Sequence, residues 1–138
     1  MSKQKKFKAN ISLNQGKNVR LDSQEILEFD YPIFCFKHLH KEHDLDKCIE
    51  SEKKSLIEKV VKLSQLSWND IQNAPRHGLG TEKIAINSIK PSCPSFITDD
   101  VKHLLAIRFD GLKPILGHRN RFVFHILFID RIFSVYNH

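Results

Sequence analysis

An α+β fold, two helices packed on a C-terminal antiparallel β-sheet, is predicted from three observations. An apolar run with strand character occupies residues 31–36, a 3.6-residue periodicity begins near Asp44, and alternating segments joined by turn residues fill positions 101–138. The length fits one such unit: 138 residues, 41% apolar and including ten Phe, suffice for a single core.

Pro32 biases Tyr31 toward extended backbone, and Ile33-Phe34-Cys35-Phe36 follows it, so residues 31–36 read as a strand. From about Asp44, Ile49, Leu56, Val60 and Leu63 form one stripe with Ile57 and Val61 beside it. Glu50, Glu52, Lys53, Lys54, Glu58, Lys59 and Lys62 fall opposite. That pattern predicts an amphipathic helix of about five turns. Ser67-Trp68-Asn69-Asp70 has capping-box spacing and restarts a second, short helix through 71–74, which Pro75 limits. A loop with Gly78 and Gly80 runs from Pro75 to Lys83, and 85–100, with Pro91 and Pro94, reads as an irregular connection with a strand near 84–89.

The last third reads as a meander: strands over 103–109, 112–117, 121–129 and 133–136, with turns at Asp110-Gly111 and around Asp130-Arg131. In the longest strand, alternation puts Phe122, Phe124, Ile126 and Phe128 on one face and Arg121, Val123, His125, Leu127 and Ile129 on the other. One face is expected to meet the helices while the other stays mixed.

The net charge of +6 is unevenly placed. Residues 1–20 carry six basic groups and no acid, 21–100 carry ten basic against fourteen acidic, and 101–138 carry six basic against two acidic. The chain is thus a basic N-terminal arm over 1–20 followed by one domain over 21–138. No apolar stretch approaches the roughly 18 residues of a membrane span, and the N-terminus lacks the apolar block of a signal peptide. Three cysteines without a CxxC pair fit reduced thiols, and the expected location is cytoplasmic.

Arg108, His118, Arg119, Arg121, His125, Arg131, Tyr136 and His138 all fall in the meander. Arginine matches phosphate geometry, histidine exchanges a proton near neutral pH, and tyrosine stacks on a base or donates a proton. Together these are the components of a metal-independent ribonuclease. Arg121, His125, His118 and Tyr136 are the expected catalytic residues, and Arg119, Arg108 and His138 the expected substrate-binding residues. The Gly-rich loop adds Arg76, His77 and Lys83 as a further phosphate contact. Cys35, His38, His40, His43 and Cys48 supply five zinc-ligand types within fourteen residues, but their spacing fits no standard finger, so no metal or cofactor is expected.

A strand, two helices and a meander that closes through Gly117-His118-Arg119-Asn120-Arg121-Phe122-Val123-Phe124-His125-Ile126-Leu127-Phe128-Ile129-Asp130 and then Val135-Tyr136 resembles the RelE/ParE superfamily of toxins from toxin-antitoxin systems. The resemblance covers 31–138 in element order and 117–136 in residue pattern. It implies a RelE-like fold, endoribonuclease cleavage of mRNA, often associated with the ribosome, and neutralisation by a cognate antitoxin protein. Arg121 takes the place of the family's strand arginine and Tyr136 that of its C-terminal aromatic. Some members act on gyrase and lack catalytic residues. The alternative class for the same residues is a non-catalytic nucleic-acid- or protein-binding module.

Overall fold

Alternating apolar residues and short turns produce five strands in the computed structural model, which describes residues 29–138. The arm over 1–20 lies outside the described residues. The strands are Ile33–Cys35 (β1), Thr81–Ala85 (β2), His103–Asp110 (β3), Lys113–Asn120 (β4) and Val123–Ile129 (β5), with helices Glu50–Ser64 (α1), Trp68–Asn73 (α2) and the single turn Arg76–Leu79 (α3). One sheet forms in the order β1-β5-β4-β3-β2. The fold is α+β as expected, but the sheet is mixed. β1 pairs in parallel with β5, while the other three pairings are antiparallel.

The helices cover one face. Leu56 and Leu63 of α1 and Trp68 and Ile71 of α2 pack with Ile107, Ile115, Phe124 and Ile126. The opposite face is covered too: Leu104, Ala106, Leu116 and Phe128 lie under Val135 and Tyr136 of the C-terminal tail, with Phe96 and Ile97 of the connection packed alongside. The expected alternation along β5 fails midway. Leu116 faces Phe128 while Gly117 faces Ile126, so Leu127 is the extra residue of a β-bulge. Phe128 therefore leaves the face of Phe124 and Ile126, and Ile129 replaces it there. A Cβ on Gly117 would lie 2.3 Å from the His125 carbonyl oxygen and 2.7 Å from Phe124 Cζ, so the bulge requires glycine.

Several boundaries differ from the sequence expectation for local reasons. The strand sought near 84–89 lies at Thr81–Ala85 and ends in a 3-10 turn, Ile86–Ser88. β5 starts at Val123, because Arg121 adopts φ 59 in the β4–β5 turn. Residues 133–136 form no strand. The buried Asp130 carboxylate accepts from the Ser134 and Val135 N–H groups at 2.8 and 3.2 Å and meets His138 Nε2 at 3.1 Å, which folds the tail back on itself.

The start of α1 differs most. Ile49, expected on the apolar stripe, is 57% exposed, whereas Glu52, expected on the polar face, is 0% exposed. Glu52 Oε1 accepts from the Ile49 N–H at 2.9 Å and from Arg131 Nε at 2.8 Å, and Oε2 meets Lys113 Nζ at 2.8 Å. Burial alone raises this carboxyl, but the hydrogen bonds from Arg131, Lys113 and Ile49 outweigh it and lower it from 4.5 to about 2. Because the folded state depresses this pKa, the resulting stability is complete above the ordinary Glu value and is lost as pH falls toward 2. Glu52→Gln is expected to cost about 1.5–3 kcal/mol in urea denaturation at pH 7, since it removes charge-assisted hydrogen bonds to Arg131 and Lys113, whose own charges remain partly solvated. The same variant should flatten the loss of stability between pH 5 and pH 2 seen in the wild type. Gly117→Ala is expected to lower stability by about 1–3 kcal/mol or more through overpacking, read by the same denaturation.

Candidate active site

The antiparallel register of β4 and β5 sets His118 directly opposite His125 on the face away from the helices. Parallel pairing of β1, with Cys35 opposite His125, then brings His38 beside them, its ring centroid 6.0 Å from that of His125. Phe96 packs among all three, at 4.3 Å from His38, 5.1 Å from His125 and 6.3 Å from His118. The three imidazoles are half-buried. Burial lowers the His118 pKa, with Asp100 acting in the opposite sense. Burial also lowers His125, reinforced by repulsion from His38 and His118. His125 Nδ1 is buried without a hydrogen-bond partner among the described residues.

Two clefts flank the edge strand β2 and meet at Glu82 and Lys83. One, of about 660 Å³, is lined by His118, Arg119, Asp100, Lys102, His103 and Lys83. The other, of about 400 Å³, is lined by Lys83, Arg108, Tyr136 and His138 together with Gly80 and Phe133. The structure thus divides the expected site residues between the two ends of one sheet face. His118 and His125 lie at one end; Arg108, Tyr136 and His138 lie at the other, with Leu104, Ala106 and Leu116 between them. The separation along β3 from Leu104 to Arg108 is roughly 13 Å at the rise of an extended strand.

Other candidates have structural partners. The Arg119 guanidinium lies 4.2 Å above the Trp68 ring, and its Nε donates to the Arg121 carbonyl at 2.6 Å. Trp68 in turn donates through Nε1 to the Phe122 carbonyl at 2.9 Å, so this cation and ring tie the β4–β5 turn to α2. Arg121 sits in that turn, and Arg131 binds Glu52. Tyr136 is buried under the His138 ring, at 3.9 Å. Arg76 and His77 lie in α3, which Gly80 ends with φ 71.

The zinc-ligand types in 35–48 disperse. Cys48 is buried in the helix-side core, His40 and His43 pack on Phe128, and His38 turns toward Phe96 and His125. Among the described residues no three His, Cys, Asp or Glu side chains converge as metal ligands. Sequence reasoning missed His38 and Phe96 as members of the histidine group. His38 reaches it only through parallel pairing, and Phe96 comes from a segment without periodicity.

Both His118 and His125 are expected to titrate below the ordinary His value of 6.5 in NMR experiments. Since the folded state disfavours their protonation, they should lower stability as pH falls below that value. His38→Ala removes one source of repulsion and should move the His125 midpoint upward. Searches with family models, among curated proteins and among solved structures find no match to this chain.

Proposed function

We propose that the chain is a metal-independent endoribonuclease acting on mRNA, the toxin of a toxin-antitoxin pair. The observation that carries this reading is the rung of His118 against His125, with His38 alongside and, at its edge, a cleft that Lys83, Lys102 and His103 line together with Glu82 and Asp100. Charge on His38 or His118 repels a proton on His125, adding to the effect of its burial. On the acid side of the ordinary His range the pair of His118 and His125 passes through a singly protonated form, which supplies one acid and one base. A neutral imidazole takes the proton of a ribose 2′-hydroxyl, and its oxygen attacks the adjacent phosphorus. The 5′-oxygen leaves with a proton from the imidazolium, giving a 2′,3′-cyclic phosphate and a 5′-hydroxyl without consuming water. Lys83 and Lys102 in the cleft supply positive charge toward the phosphate.

A second reading, a non-catalytic nucleic-acid binder, is favoured by one observation: Arg119, next to His118, holds Trp68 and the Arg121 carbonyl. Binding that weakens steeply with salt, with RNA recovered intact, would select it.

Expression of the chain alone is expected to arrest bacterial growth and deplete mRNA; normal growth with the folded protein present would overturn the toxin reading. His118→Ala and His125→Ala should each lower RNA cleavage by about 100-fold or more. The pH–rate profile should be bell-shaped. Burial lowers both pKa values, and repulsion from His38 and His118 lowers that of His125 further, so the singly protonated pair is populated, and the rate greatest, on the acid side of the ordinary His range.

A further inference from the structure

Arg108 and Phe133 meet at the cleft of about 400 Å³, at the end of the sheet face away from the histidines. The backbone holds each of them there. Gly80 approaches Arg108 so closely that a Cβ on it would lie 2.9 Å from Arg108 Cβ and 3.0 Å from Cγ and Cδ. The Arg108 N–H donates to the Gly80 carbonyl at 3.1 Å. The arginine stem is therefore clamped against the glycine, and among the described residues no hydrogen bond or ion pair engages its guanidinium. Phe133 has φ 58, a conformation that bulky side chains rarely adopt, and remains 41% exposed. The hydrogen bonds of Asp130 to the next two N–H groups fix the backbone that follows it, and its ring meets His138 edge-on at 4.9 Å.

A half-buried cation and an exposed aromatic ring held in strained backbone thus border one cleft floored by Ala106, Ile84 and Pro114. An anion alone would leave the ring and the apolar floor uncovered, and an apolar ligand would leave the guanidinium without a partner. The cleft volume lies within the usual range for small-molecule sites. We propose that this cleft binds one ribonucleotide, its base against Phe133 and its phosphate on Arg108. The inference rests on the RNA reading above, within which the cleft is the subsite that selects the sequence to be cut.

Calorimetric titration of the full chain with AMP, GMP, CMP and UMP, against ribose 5-phosphate and inorganic phosphate, tests it. At least one mononucleotide should bind roughly tenfold or more tighter than ribose 5-phosphate, because the base adds stacking. Arg108→Ala should abolish that binding. Phe133→Gly relieves the backbone strain, so it should raise the melting temperature while losing the preference for nucleotide over ribose 5-phosphate. A purely structural Phe133 would not show that combination. Equal binding of all phosphates, or nucleotide binding unaffected by Arg108→Ala, would overturn the proposal. Nucleotide binding by a chain that cuts no RNA would remove the nuclease reading and keep this site. RNA cleavage without mononucleotide binding would do the reverse.

Discussion

Glu52 is the point on which the geometry turns. One buried carboxylate holds the N–H of Ile49 just before α1, the lysine that opens β4 and the arginine that follows β5. Without it, the helix start and two strand ends would have no common reference. With it, Leu56 and Leu63 are set over Ile107, Ile115 and Ile126 in a fixed register. Neither cation is deeply buried, each side chain being about 30% exposed, so the cost of desolvation falls mainly on the carboxylate. Its hydrogen bonds more than offset that cost, as its depressed pKa indicates.

The elements with local causes were legible in the sequence. The Ser67 hydroxyl accepts from the Asp70 N–H, and the Asp70 carboxylate from the Ser67 N–H, so the second helix follows from four residues. The three long strands were legible from alternation and turns. What escaped the reading depends on partners distant in sequence. Glu52 looks like any surface acid until Lys113 and Arg131 are placed beside it. The alternation of β5 breaks at Leu127 because of how β4 pairs, which the β5 sequence alone does not reveal. The run 133–136 has strand composition, but Asp130 captures two of its N–H groups first. For the candidate site, His118 and His125 were legible only as members of the meander: the strand expected over 112–117 stopped short of His118, so its pairing with His125, like the approach of His38 and Phe96, required the tertiary fold.

The same contacts change the meaning of the positive charge in the last third of the chain. Arg119 and Arg131 serve the fold, one on Trp68 and one on Glu52. Counting basic residues therefore overstates the charge available to a polyanion. What remains at the clefts is Lys83 of the edge strand β2, which borders both, with Lys102 at one and Arg108 at the other.

The parallel pairing of β1 with β5 bears on the order of assembly. Ile33 faces Val123, so the strand nearest the start of the described chain waits for the strand nearest its end. During synthesis β2, β3 and β4 can pair as they emerge, but the sheet edge that receives β1 exists only once residues 123–129 have left the ribosome. His38 arrives with that closure, so the histidine group is assembled only after β5 has been made.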